Sequence, residues 1–320
     1  MKGQSVKRDG YLAAIVAWAS RCNQVEALIQ TGSLARQDCS VDSWSDLDLE
    51  LITLDVDALI DDTQWLHEIG RVITVLRLED GQEWPTRLVI FSGGIKADFT
   101  LAGTRRIQNM IQAAQLNALY ERGYRVLLDK SGVTAGLPVP GYSFPVVQLP
   151  SAQHFRARVE EFWFEAFHLP GYLARGELFV VKQRDWTMKE LLLEMMEWHA
   201  LARGSGAVDI WHGGTRLHQW AEPQTLQDLQ TVFGHFEAGD AKRAFEETTR
   251  LYARLAHGNQ SVVGLMLESF IEAGNQPLTD DLSSLRYGCS VTDACLDWDS
   301  TERCLRDAAN TLRAAGLGQR

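Results

Sequence analysis

Residues 30–53 read QTGSLARQDCSVDSWSDLDLELIT, and the second half of that stretch alternates with period two. Successive side chains on a strand point to opposite faces. Leu47, Leu49 and Leu51 therefore share one face, while Asp46, Asp48 and Glu50 share the other. The apolar face predicts a strand over 46–54 seated on a core. The acidic face is harder to explain. Asp46 and Asp48 lie about 6.5–7 Å apart along such a strand. Like charges this close raise each other's pKa or demand a cation between them. Mg²⁺ meets that demand, because it takes hard oxygen ligands and keeps sites free for water and substrate phosphates.

A second stretch is built the same way. In IKADFTLAG, residues 95–103, Ile95, Ala97, Phe99 and Leu101 form one face and Lys96, Asp98 and Thr100 the other. Laid beside 46–54 in register, this strand adds Asp98 to the pair. Three carboxylates around magnesium ions suit nucleotidyl transfer. Two hold metal against a triphosphate, and the third takes a proton from the attacking hydroxyl. Upstream, the Gly32-Ser33 turn offers a close-approaching backbone, free N–H groups and a hydroxyl, a cradle for phosphate oxygens. An outward aspartate on a strand is ordinarily a solvated face, and a Gly-Ser pair alone says almost nothing. The signal lies in the order: Gly-Ser, then Asp-x-Asp, then a distant strand aspartate.

Composition sets the limits around this site. The chain has 320 residues, 45% hydrophobic and 23% charged. That is enough apolar mass for a sizeable core, and the length suits two ordinary domains better than one. The 31 basic and 42 acidic residues give a formal net charge of -11. That is the wrong sign for a duplex nucleic-acid binder, which needs a basic footprint. Cysteines 22, 39, 289, 295 and 304 show no CxxC spacing, so a reducing compartment fits better than a zinc site or disulfide framework. His154, His168 and His199 lack metal-ligand spacing as well. No apolar run approaches the roughly 20 residues a membrane span needs, and the N-terminal run lacks a cleavage site. The expectation is a cytoplasmic monomer or weak dimer with neither nucleic-acid nor membrane partners.

Along the chain, residues 10–22 read as a helix and 25–32 as a strand ending at Gly32. DALIDDTQWLHEIG (57–70) reads as one helix with Gly70 as its C-cap. Strands follow in RVITVLRL, TRLVIFS and IKADFTLA, with Gly81 and Gly93-Gly94 between them, then a helix over 104–122 and a strand over 124–129. Residues 130–151 hold four of the eight prolines and read as a linker. Beyond Ser151, an N-cap, Phe155, Val159, Phe162 and Ala166 recur at helical spacing, and further helices are expected over 177–202 and near 223–235, 240–257 and 260–273. The fold class is α+β: an alternating domain over 1–135, a linker over 136–150 and a helical domain over 151–320, meeting at a cleft.

These residues resemble a known family. GS followed by SDLDLELIT looks like the catalytic signature of the polymerase-beta-type nucleotidyltransferases. Within them the chain is most similar to the aminoglycoside 6-adenylyltransferases, which modify streptomycin. DTQWLHEIGRVITVLRLED (62–80), IKADFTLAG (95–103), EFWFEAFHLPGYLARGELF (161–179) and ELLLEMMEWHA (190–200) match that family's segments in order, covering roughly residues 25 to 270. Residues from 275 onward match less clearly.

The resemblance implies a palm-like mixed sheet with flanking helices, joined to a helical bundle that binds the acceptor. It also implies MgATP as co-substrate and transfer of AMP to a hydroxyl of a cationic aminoglycoside, releasing pyrophosphate. Carried over, Asp46 and Asp48 become magnesium ligands, Gly32 and Ser33 phosphate contacts, and Asp98 the base and third ligand. The family usually has arginine directly after Gly-Ser; here it is Leu34, with Arg36 two positions on. Arg36 and Lys182 become candidate nucleotide contacts, Lys189 a further one. Glu190, Glu194 and Glu197 form a stripe that could receive an amino sugar. Alternatives keep the chemistry with another acceptor (a lincosamide, a metabolite or a protein hydroxyl), or make the chain an idle nucleotide- or drug-binding module. A tRNA-directed enzyme is disfavoured by the acidic charge.

Overall fold

The structure is a computed structural model that describes residues 2–38, 41–79, 84–204, 208–257, 271–279, 281–291 and 295–314. It has two compact units, one made of Met1–Pro150 with Lys189–Phe233, the other of Ser151–Met188 with Gly234–Arg320. The architecture is α+β, as the alternation of elements predicts. Among the described residues, no helix is long and apolar enough to cross a membrane.

The first unit is organised on a six-stranded mixed sheet. Its strands are β1 (Val25–Gln30), β2 (Leu47–Thr53), β3 (Val72–Leu78), β4 (Thr86–Phe91), β5 (Ile95–Gly103) and β6 (Arg125–Asp129), in the order β3-β4-β5-β2-β1-β6. Only β2 and β5 run parallel; the other neighbours are antiparallel. Period-two alternation gives the sheet two apolar faces. Leu47, Leu49, Leu51, Ala97, Phe99 and Leu101 pack with Ile15 and Trp18 of α1 (Lys2–Arg21) and with Trp65. Trp18 stacks on Trp65, which meets Phe99 edge-on. On the opposite face Ala27, Ile29, Ile52 and Ala102 lie with Ile107, Met110 and Tyr120. The row carrying Asp46, Asp48 and Glu50 thus runs on into a second core at Ile52.

Several helices are shorter than their periodicity predicts, and local side-chain bonds explain it. Residues 57–70 form two helices, α2 (Val56–Asp61) and α3 (Trp65–Ile69). Asp62 breaks them apart by accepting from the Gln64 N–H at 2.8 Å, a local bond that competes with the helix. Gly70 is the C-cap of α3, as expected, and its N–H donates to the Leu66 carbonyl, but its backbone is extended rather than left-handed. It is needed because a Cβ there would sit 2.5 Å from Tyr11 Cε1. The 104–122 helix is likewise two, α4 (Arg105–Ala113) and α5 (Ala118–Glu121), the second started by Asn117, whose side chain accepts from Tyr120 N.

In the second unit, Ser151 caps α6 (Ala152–Ala174) by accepting from His154 N, as expected. Phe162 stacks on Tyr252 of α10 (Ala238–His257) at 3.5 Å between ring centres. Arg184 on α7 (Leu178–Arg203) pairs with Glu165 of α6 at 2.8 Å. Next in the first unit are α8 (Leu217–Trp220) and α9 (Pro223–Val232), the latter shorter than the 223–235 expected. Helix α11 (Trp298–Ala314) falls where no helix was expected. The helix expected near 260–273 lies outside the described residues except for 271–273, which form a bend; Cys39 and Gly81 lie outside them too.

Candidate active site

Parallel pairing of β2 with β5 sets Asp48 directly opposite Asp98. Asp46 stands one residue ahead of β2. Its approach is fixed by Arg8, buried in α1, which donates to the Asp42 and Ser45 carbonyls at 3.0 and 3.2 Å. Oxygens of Asp46, Asp48 and Asp98 all lie within 4.8 Å of one another, and all three residues are half-buried. The register that the two alternating strands suggest is the register found.

The Gly32-Ser33 turn closes over this cluster. Thr31 N–H donates to the Asp48 carbonyl at 2.9 Å, and residues Ser33–Ala35 make one 3₁₀ turn. Gly32 has φ 65° and ψ -157°, a region essentially reserved for glycine. A Cβ at this position would overlap the Asp48 carboxylate. Ser33 Oγ and Asp98 Oδ1 are buried without hydrogen-bond partners among the described residues, an arrangement that suits a ligand able to satisfy both.

The electrostatics agree. Burial, with the Asp46 and Asp98 charges added, pushes Asp48 up to about 6. Burial also raises Asp98, outweighing the hydrogen bond from Lys96. Lys96 Nζ bonds Asp46 Oδ2 at 2.5 Å and Asp98 Oδ2 at 2.6 Å. Burial pulls its ammonium down, but those two hydrogen bonds dominate and hold it above the usual lysine value. Three clustered carboxylates, one with an orphaned oxygen, are a hard-oxygen donor set of the kind magnesium takes. The residues present fit that ion.

Basic groups gather on the other side of the turn. Arg36 is held below the usual guanidinium value by burial and by the charges of Arg122 and Arg216. Its Nε is buried without a partner among the described residues. Arg122 forms a two-pronged pair with Asp209 at 3.0 and 2.6 Å and lies over the Trp211 ring. Arg216 pairs with Asp38 at 3.1 Å. The segment after α7 therefore docks beside the turn through Asp209 and Arg216, which sequence spacing did not flag. Leu34 packs against the core beneath the sheet, so the side chain directly after Gly32-Ser33 faces apolar neighbours, and the first cation after the turn in the chain is Arg36.

The remaining candidates have other surroundings. Lys182 lies in the second unit and donates to the Gly234 carbonyl at 2.9 Å. Lys189 is buried over the Phe233 ring. Glu190 is exposed, and Glu194 and Glu197 half-buried, on the part of α7 that belongs to the first unit. Burial and the Glu194 charge push Glu197 up to about 7. Glu50, next on the acidic row of β2, does not join the carboxylate cluster's chemistry. It is buried and accepts from Arg106 at 2.7 and 2.8 Å and from Tyr120 at 2.7 Å.

A family model described as streptomycin adenylyltransferase matches residues 7–268. The aminoglycoside 6-adenylyltransferase of Bacillus subtilis (strain 168) is 28% identical over 210 residues, 63% of this chain and 72% of that protein. A solved aminoglycoside 6-adenyltransferase from Bacillus subtilis aligns over 78% of this chain and 88% of that one, with 17% identity and TM-score 0.34. Over 61 residues, 19% of this chain, there is 48% identity to the Tyr-sensitive phospho-2-dehydro-3-deoxyheptonate aldolase of Enterobacter agglomerans. The chain spans only 29% of that aldolase's length, and between 18% and 33% of related aldolases. The aldolases' own activity is not carried over by so small a share.

Proposed function

This chain belongs to the streptomycin adenylyltransferase family, whose model spans residues 7–268, and on that premise we propose that it is a Mg²⁺-dependent enzyme moving AMP from ATP to a hydroxyl of a streptomycin-like aminoglycoside. The observation that carries this reading is the in-register pairing of Asp48 with Asp98 beside a glycine turn.

Asp46 and Asp48 would hold magnesium, with Asp98 as third ligand. When bound, that ion neutralises triphosphate charge. The Gly32-Ser33 backbone, Ser33 Oγ and Arg36 bind phosphate oxygens, and the Ser33 hydroxyl and Arg36 Nε are buried without partners among the described residues. Asp98 Oδ1 takes the proton of the acceptor hydroxyl as its oxygen bonds to the α-phosphorus. The bond from that phosphorus to the bridging oxygen breaks, and its electron pair leaves with pyrophosphate. Glu190, Glu194 and Glu197 would attract an ammonium-bearing sugar, and the raised Glu197 would gain most from such a partner.

Incubation with α-labelled ATP, Mg²⁺ and a panel of streptomycin, spectinomycin, a lincosamide and a carrier protein tests the reading. Label on streptomycin supports it. Label only on another acceptor removes the substrate assignment and leaves the chemistry. No transfer anywhere, with no thermal shift from MgATP, would leave a protein that neither binds nor uses the nucleotide and would overturn the whole reading.

A further inference from the structure

The proposed metal site contains a cation of its own. Lys96 sits two residues before Asp98 on β5, on the same face, so its stem runs alongside the cluster. Its backbone is fixed on both sides, by β4 opposite Ile90 and by β2 one residue further on. Its ammonium bridges Asp46 Oδ2, from the residue just ahead of β2, and Asp98 Oδ2 on β5 itself. Those two residues, with Asp48, are also the set whose oxygens converge within 4.8 Å. An ammonium and a divalent ion therefore ask for the same oxygens.

We infer that Lys96 is a built-in counter-cation that makes divalent-ion binding depend on the nucleotide. This rests on the metal-site reading above and deepens it. A bare ion must push the ammonium off both carboxylates and leave it to solvent, at a distance where two cations repel. A nucleotide changes the balance, because its triphosphate oxygens give the displaced ammonium new partners. Lysine suits this part: its charge is compact, its four-carbon stem is flexible, and its side chain is 42% exposed with room to swing. The two hydrogen bonds also hold two of the repelling carboxylates, Asp46 and Asp98, together. The substrate complex would then be loaded as a unit, not assembled on a metal already in place.

Mn²⁺ binding, read by electron paramagnetic resonance and calorimetry with and without α,β-methylene-ATP, tests this. Wild type is expected to bind Mn²⁺ alone weakly and to bind it much more tightly with the analogue. In Lys96→Met, affinity for Mn²⁺ alone rises on the order of tenfold, and the enhancement by the analogue shrinks. Lys96→Arg keeps a cation there and stays like wild type. Lys96→Gln replaces the methionine variant if the latter does not fold. Unchanged or weaker Mn²⁺ affinity in the folded neutral variant overturns the inference. Asp48→Asn separates the two levels: if it leaves Mn²⁺ binding intact, the carboxylates are not the metal site and the functional reading itself fails.

Discussion

Gly32 lies so close to Asp48 that any other residue at position 32 would drive its Cβ into the Asp48 carboxylate, coming within 2.8 Å even of that side chain's own Cβ. The two are also tied by the Thr31 N–H bond to the Asp48 carbonyl. Turn and carboxylate are therefore one unit. Gly32→Ala combines this overlap with a backbone region that costs a non-glycine residue about 1–3 kcal/mol. It is expected to lower the melting temperature and to abolish the thermal shift given by MgATP. A variant that melts like wild type and still responds to MgATP would show that the turn and Asp48 are not coupled.

Asp98→Asn keeps the shape of the side chain and removes its capacity to accept a proton. Turnover is expected to fall about 10²–10⁴-fold, the usual worth of a general base, while binding of a non-hydrolysable ATP analogue is largely kept. Asp46 and Asp48 remain to hold the ion in this variant. Turnover near wild type would remove Asp98 from the role of base. Loss of analogue binding would mean that its part is mainly that of a ligand.

These two residues also mark how far the sequence alone could be read. Strands β2 and β5 were legible because strict alternation gave each an apolar row, Leu47-Leu49-Leu51 and Ala97-Phe99-Leu101, that only one register buries. Asp48 and Asp98 came together as a consequence. Glu50 was not legible: it stands on the same row, but its environment is set by Arg106 and Tyr120, which are 56 and 70 residues away. Helix ends at Asp62 and Asn117 were lost for the opposite reason, since single side-chain bonds override a periodicity that continues through them. Asp209 and Arg216 approach the turn after a long helix, and no local pattern announces such a return.

The Glu50 network itself gives a stability prediction. Glu50 is 2% and Arg106 10% exposed at the side chain, and the pair is two-pronged. Burial and Glu50 hold the Tyr120 hydroxyl well above the usual phenol value, so it stays a donor. Arg106→Met leaves a buried carboxylate with one neutral donor, and removing one partner of such a pair costs about 3–5 kcal/mol. Urea denaturation is expected to register that loss, with most of it recovered when Glu50→Gln is added. A single variant within 1 kcal/mol of wild type, by the same order-of-magnitude scale, would show that water reaches Glu50.

The last prediction concerns pH. Burial, then the Glu194 charge, raises Glu197 from 4.5 to about 7 in the folded chain. Between those values the folded state binds more protons than the unfolded one, so this group's contribution to stability falls as pH rises and is lowest above about 7. Glu197→Gln removes the charged form and keeps the shape. Its melting temperature should exceed that of wild type at about pH 8 and match it at about pH 4, where both are neutral. An amino sugar bound beside Glu197 would bring a positive charge to this half-buried carboxylate. The stabilisation that streptomycin gives wild type should then be larger at about pH 8 than at about pH 5 and be reduced in Glu197→Gln. If the variant is the less stable protein at the higher pH, the carboxylate has a partner that outweighs burial, and the stripe is not waiting for a cationic substrate.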